Sequence, residues 1–445
     1  MTTPICDFVR RYADSGVVRM HMPGHKGHGP LGIEHLDITE ICGADSLYEA
    51  EGIIRESEQN ASVLFGCPTY YSTEGSSHAI RAMLYLIVRH ALSQGKKPRI
   101  WAARNVHKVF LSAVALLDAE VSWLTPGTQD SYLCCRVDAT ELDRKLAADT
   151  EKPTALYLTS PDYLGNVADI AALAEVCHRH GVLLAVDNAH GAYLQFLPVS
   201  RHPIALGADL CADSAHKTLP VLTGGAYLHV SPSAPALFRE QAKTALALFG
   251  STSPSYLILQ SLDAANAELS GDFPARLARL AERTASLRRR LGEVGYIVYG
   301  NEPAKLTLLP KSYGYDGYSL AELLRQADIE CEFSDPDALV LMFSPSTDES
   351  DIDRLERVLS STPRRKSITT VPPGASLPRQ MLSVREAMLA PCELIDACES
   401  EGRILASPCV GCPPAVPIVM SGERIGADAL ACFDYYGIRQ CLVVK

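Results

Sequence analysis

The 445-residue chain has no run of about 18 apolar residues, so no membrane-spanning helix is expected. Charges recur through Pro4–Arg19, which rules out a secretory leader in that stretch and makes the cytoplasm the expected compartment. No G-x-G-x-x-G follows a strand-like run, and no G-x-x-x-x-G-K-[ST] occurs anywhere. Dinucleotide-binding and P-loop domains are therefore not expected. Basic charge is also in short supply: the net charge is −11, which argues against nucleic acid as a partner and suits cationic small molecules. Internal repeats and low-complexity tracts are missing. The 14 cysteines form no disulfide framework. Cys134 and Cys135 are vicinal, and Cys409-Val-Gly-Cys412 is half a zinc site without a second pair, so no metal is expected.

What is present is an ordinary globular composition, 47% hydrophobic and 21% charged, in a chain long enough for more than one domain. The spacing predicts helices over 4–14, 53–66 and 79–92. From residue 98, short apolar strands alternate with helices: strands at 99–102, 121–124, 155–159, 182–186, 209–212 and 225–230. The helices between them are expected at 107–117, 140–148 and 170–180. This alternation predicts an α/β fold with a mostly parallel sheet covered on both faces. Residues 255–291 read as helical, 303–360 as a smaller α+β domain, and 362–380 as a Pro/Ser/Thr-rich linker. One helix is expected over 383–400, before a Pro-rich segment, Pro408–Pro417.

Ligands of such sheets sit beyond the carboxyl ends of the strands. Asn105-Val-His107, Ser160-Pro-Asp-Tyr163, Asp187-Asn-Ala-His190 and Ser214-Ala-His-Lys217 all fall there. Lys217 stands in an apolar neighbourhood and is expected to be buried and nucleophilic, able to form a Schiff base. Asp187 closes the run Val182–Val186 and can pair with a pyridinium nitrogen. Together they are the minimum set for pyridoxal phosphate (PLP). His107 would stack on the ring, with the small Ala189 on its other face. Gly75-Ser76-Ser77, at a helix start, fits either a phosphate cup, with Ser214 and His216 adding donors, or a plain serine N-cap. His21, His25 and His28 lie in a Pro/Gly-rich loop, read as structured and near a site or a subunit partner rather than as metal ligands.

Longer stretches carry a family resemblance. They are Met22-Pro-Gly-His-Lys-Gly27, Asp37-Ile-Thr-Glu40, Thr73-Glu-Gly-Ser-Ser77, Arg104-Asn-Val-His-Lys108, Thr159-Ser-Pro-Asp-Tyr163, Asp187-Asn-Ala-His-Gly191 and Ser214-Ala-His-Lys217. Gly402-Arg-Ile-Leu-Ala406, Cys412-Pro-Pro-Ala-Val-Pro417 and Ser421-Gly-Glu423 continue it. The chain resembles the Orn/Lys/Arg decarboxylases, in a compact form without an N-terminal wing domain. The resemblance implies a PLP-dependent transferase-like fold (fold type I) with a sheet of the seven-stranded type. It also implies a large domain over 1–295, a small α+β domain over 296–362, a linker over 363–380 and a C-terminal extension over 381–445.

The implied activity is α-decarboxylation of a basic L-amino acid (arginine, lysine or ornithine) by a homodimer with active sites at the subunit interface, as in polyamine metabolism. His216 or Lys217 would return the proton. Thr252, in the Ser251-Thr-Ser253 turn, would reach the partner's PLP phosphate. Asp162 and Glu423 are candidates for contacting substrate, Glu423 through the distal cation. Departures from the family pattern, at Cys409, Cys412, Ala415 and Ser421, fall where the substrate side chain should be read. An aminotransferase or aldolase-type PLP enzyme, or a PLP-binding regulatory homologue without turnover, remains an alternative. No arginine stands near Ala338–Phe343 to grip an α-carboxylate, as an aminotransferase would require.

Overall fold

The computed structural model describes residues 1–124, 131–374, 377–408 and 413–445. Cys409 and Cys412 lie outside the described residues. The main sheet has seven strands: β1 (Thr69–Ser72), β2 (Arg99–Ala102), β3 (Glu120–Trp123), β4 (Ala155–Thr159), β5 (Leu183–Asp187), β6 (Leu210–Asp213) and β7 (Ala226–Val230). Their order is β1-β7-β6-β5-β4-β2-β3. β2 pairs in parallel with β3, and β5 with β6, while β7 runs antiparallel to both β6 and β1. The sheet is thus mostly parallel, as the alternation predicts. β6 and β7 are buried at every position, which is why they read as continuous apolar runs. β1 is the strand the pattern does not announce. Thr-Tyr-Tyr-Ser has no apolar run, and its strand conformation comes from the ladder Tyr71↔Tyr227 and Ser72↔Ala226 across a long sequence separation.

The described chain packs as two compact units. The first comprises Met1–Lys96, Thr154–Leu156 and Ile170–Arg276. Its N-terminal helix, Pro4–Asp14, buries Ile5 and Val9. The first-turn amides of Ile5 and Cys6 have no carbonyl one turn earlier, and both donate to the Asp263 carboxylate at 3.0 Å. Asp263 also accepts from Ser57 at 2.6 Å, so one buried carboxylate ties two helices to the helix Tyr256–Leu269. In the loop that follows, His21 bonds Tyr12, while His25 bonds Asp37 at 3.2 Å. His21 and His25 are thus held by separate partners.

The second unit comprises Lys97–Pro153, Tyr157–Asp169 and Leu277–Lys445. It contains a four-stranded sheet in the order β10-β11-β9-β8, formed by β8 (Ile297–Tyr299), β9 (Lys305–Leu309), β10 (Phe333–Ser334) and β11 (Leu339–Met342). A three-stranded sheet, β12-β14-β13, follows, made of β12 (Cys392–Asp396), β13 (Leu405–Ser407) and β14 (Gln440–Val444). The single helix expected over 383–400 is not there. A short helix, Val384–Leu389, opens on a capping box of Ser383 and Glu386, and β12 and a 3-10 turn replace the rest. Pro391 cannot continue a helix, and Cys392–Asp396 finds its partner in the last residues of the chain, Cys392↔Val444 to Asp396↔Gln440. Leu405, Val419, Ile425, Phe433 and Val443 form the core of this terminal layer.

Candidate active site

In the first unit, β5 and β6 lie side by side in parallel, with Asp187 opposite Ala212. Each therefore delivers its following segment to the same edge of the sheet. After β5, the Asp187 carboxylate is buried and accepts from the amide of Ala189 at 3.2 Å. After β6, Ser214 enters a short helix, Ala215–Thr218, that carries His216 and Lys217. The Lys217 ammonium donates to His190 Nε2 at 3.0 Å. The structure thus joins the ends of the two strands through a pair that the spacing alone does not specify.

Lys217 is exposed, against the expectation of burial. In the short helix, Ala215 and Thr218 share the inward face at a spacing of one turn and are buried, which turns Lys217 outward. His216 is half-buried, and its Nδ1–H donates to the Gly225 carbonyl at 3.0 Å. Burial pushes its imidazole pKa below the usual range, and the Lys217 charge adds to that, outweighing the Gly225 bond. His216 is therefore neutral at pH 7.

The helix Gly75–Ser93 begins at Gly75, whose φ of +72° lies in the left-handed region that favours glycine. Its amide donates to the Gly224 carbonyl at 2.7 Å, and a Cβ at Gly75 would meet nothing within 4 Å. The N-cap is Glu74, with no side-chain cap bond. Ser76 and Ser77 therefore sit inside the first turn and do not cap it, which removes the plain serine-cap reading. First-turn amides have no intrahelical acceptors. The Ser214 hydroxyl donates to Ser76 Oγ at 2.7 Å, joining the lysine segment to this helix start. An open, amide-rich, hydroxyl-rimmed recess of this kind fits a phosphate monoester, and a buried carboxylate beside it fits a ring nitrogen that must stay protonated. The residues present thus suit PLP. Thr252 is exposed, in a turn fastened to the same region by the Ser251 amide on Glu74 at 2.6 Å.

Behind these segments lies a carboxylate that sequence reading missed. Asp213, the last residue of β6, is 0% exposed. Its Oδ1 accepts from Asn188 at 2.7 Å and from the Cys211 thiol at 3.4 Å. Its Oδ2 accepts from His202 and from His229, each at 3.1 Å. Burial pushes the carboxyl pKa up, but the two imidazoles outweigh it and hold the group well below the usual carboxylate range. His202, Cys211 and Asp213 lie close enough together to hold a metal ion, with all ligand atoms within 4.8 Å of one another. The His202 ring, however, already accepts from the Ile204 amide through Nδ1 and donates to Asp213 through Nε2. Those hydrogen bonds account for the cluster. Asp213 thereby grips Asn188, which sits between Asp187 and Ala189, and it directly precedes Ser214. The available signal was weak: one acidic residue closing an otherwise apolar strand.

The remaining candidates belong to the second unit. His107 caps the helix Lys108–Leu117, its Nδ1 accepting from the Val109 amide at 3.1 Å, so its proton is on Nε2. Asp162 is buried and turns back on Asn166, taking its amide at 2.9 Å and its side chain at 2.7 Å. Burial pushes the Asp162 carboxyl up to about 6. Glu423 makes a bidentate pair with Arg104, at 2.6 and 2.9 Å, and also takes the Met420 amide at 2.7 Å. The motif Arg104-Asn-Val-His-Lys108 by itself gives no sign of this pairing. The Glu423 charge is thus already matched within the unit by Arg104.

Comparison with known proteins follows the same lines. The model of the Orn/Lys/Arg decarboxylase major domain matches residues 3–294, and that of the Orn/Lys/Arg decarboxylase C-terminal domain matches 365–441. An arginine decarboxylase of Bacillus subtilis is 30% identical over 96% of this chain and 92% of its own length. One from Halalkalibacterium halodurans is 29% identical over 96% and 92%. Among solved structures, the Francisella novicida lysine decarboxylase LdcF aligns over 100% of this chain and 81% of its own at TM-score 0.78 and 18% identity. The Sphingomonas wittichii serine palmitoyltransferase aligns over 69% and 75% at TM-score 0.53 and 15% identity. At these identities the structural likenesses establish the fold alone, that of the fold type I enzymes.

Proposed function

Because the chain belongs to the Orn/Lys/Arg decarboxylase family, we propose that it removes the α-carboxylate of arginine, lysine or ornithine as CO2, using PLP. The observation that carries this reading is the meeting of Lys217 with His190 at the end of β5, beside the buried Asp187. Bound PLP would supply an electron sink for the pair left when CO2 departs. Lys217 would hold the cofactor, and Asp187 would keep its ring nitrogen protonated. Gly75, Ser76, Ser77, Ser214 and His216 would hold its phosphate, and His107 and Ala189 would flank the ring. Lys217, or His216 after it has taken up a proton at Nε2, would return a proton to Cα.

The cytoplasm, the domain boundaries at 295, 362 and 380, and a homodimer belong to the same proposal. No helix among the described residues is long and apolar enough to cross a membrane. Val17, Val18, Met20, Met22, Leu31 and Ile33 are 44–87% exposed in and around the histidine loop, an apolar strip suited to a second subunit. Thr252 would then serve the partner's phosphate.

Borohydride reduction of the PLP-loaded protein, followed by peptide mapping, should label Lys217, and incubation with the three amino acids should release an amine. A label elsewhere sinks the assignment of Lys217, and keto acid in place of amine would turn the reading to transamination.

A further inference from the structure

A cavity of about 620 Å³ opens in the second unit, lined by none of the residues assigned above to PLP or substrate. Its walls come from β10 and the segments on either side of it, the helix Gly317–Gln326, Pro413, Pro414 and Val416 of the Pro-rich segment, and the segment that leads into β14. At its wall stands Asp335, 4% exposed. Oδ1 of Asp335 accepts from the amides of Asp337 and Ala338, both at 2.7 Å. No hydrogen bond to Oδ2 is made among the described residues, and no lysine or arginine there lies within ion-pair distance of the group; the charge of Lys311 reaches it, but Lys311 is paired with Asp337. A carboxylate held this deeply without a directly paired cation is costly.

Glu332 adds a second carboxylate, whose one side-chain hydrogen bond among the described residues comes from the Tyr163 hydroxyl at 2.6 Å. The rim arginines are spoken for: Arg325 lies on Glu322 and Glu330, and Arg439 on Asp434. Asp337, nearby, is matched by Lys311. Tyr132, Tyr318, Phe333 and Tyr436 supply aromatic surface. Buried carboxylate without a directly paired cation, beside aromatic faces, is the chemistry that recognises an organic cation.

We propose that this cavity binds a small aliphatic cation ending in an ammonium or guanidinium group, with Asp335 Oδ2 as the charge partner. The inference rests on none of the residues proposed to hold PLP. Agmatine and cadaverine, with arginine and lysine as carboxylate-bearing counterparts, would be titrated calorimetrically into cofactor-free protein, with glutarate and pentanol as controls. At least one of the two amines should bind saturably, and the controls should not. Stronger binding of the free amines than of the amino acids would identify a product-type ligand, and the reverse a substrate-type one.

Asp335→Asn keeps the Oδ1 acceptor of the turn and should weaken binding at least tenfold. Tyr318→Ala, at a side chain 51% exposed, should weaken it several-fold with an unchanged circular dichroism spectrum, and it serves if the first variant does not fold. The proposal is overturned if neither amine binds, or if both variants bind as the parent does. Binding that survives Asp335→Asn but is lost in Lys217→Ala would place the amine at the cofactor site, overturning this proposal and leaving the proposed function intact.

Discussion

The Arg104–Glu423 pair gives the sharpest energetic test, because it ties the end of β2 to the C-terminal layer of the same unit. The two side chains are 10% and 2% exposed and meet at 2.6 Å. Their attraction at an effective dielectric near 20 is about 4 kcal/mol, which has to offset the desolvation of both groups. Among the described residues, Glu423→Leu leaves a guanidinium buried with only the Ile418 carbonyl, at 3.4 Å, and the face of Trp123, 5.8 Å from the ring centroid. The expected loss is about 3–5 kcal/mol, whereas Arg104→Met combined with Glu423→Leu should lie within about 2 kcal/mol of the parent.

The chain has 2 tryptophans, Trp101 on β2 and Trp123 on β3, so intrinsic fluorescence reports on this unit. In urea, with a slope of about 3 kcal/mol/M, the single variant should lower the midpoint by about 1 M or more. A coupling energy below about 1 kcal/mol in the double-mutant cycle would refute the reasoning and mean that water reaches the pair. A raised KM in Glu423→Gln with no change in midpoint would instead support the substrate-reading role expected for Glu423.

Asp213→Asn offers an amide N–H to imidazole N–H groups in place of a carboxylate. It should cost about 3 kcal/mol or more in thermal or urea unfolding and weaken PLP retention at least tenfold, measured by cofactor absorbance after gel filtration. An unchanged melting temperature would show that the carboxylate is not held as described. Asp335 has its carboxyl pushed up from 3.8 to about 6 by burial. A raised folded value means that the native state binds the proton more tightly, so the stabilisation is complete below about pH 4 and is lost as pH rises through 6. Asp335→Asn should therefore match the parent near pH 4 and exceed it at pH 8 by up to about 3 kcal/mol. A pH-independent difference would refute the burial assignment.

The sequence alone determined the parts of this protein that depend on local pattern. Apolar strands that end at Asp187 or just before Ser214, and helices opened after His107, are legible because a strand buried on both faces is mostly apolar and its polar residues concentrate near its ends. The long motifs carried the family for the same reason: each is contiguous. Tertiary structure decided what depends on pairing between distant residues. β1 exists because Tyr71 meets Tyr227, and β12 because Pro391 breaks a helix and the final strand accepts the residues after it. Lys217 faces outward because its one-turn helix buries Ala215 and Thr218 instead. Asp213 collects donors from Asn188, His202, Cys211 and His229, and Glu423 takes Arg104. No spacing rule links such residues, because a side chain's charge is settled by whichever group the fold leaves beside it once water is excluded.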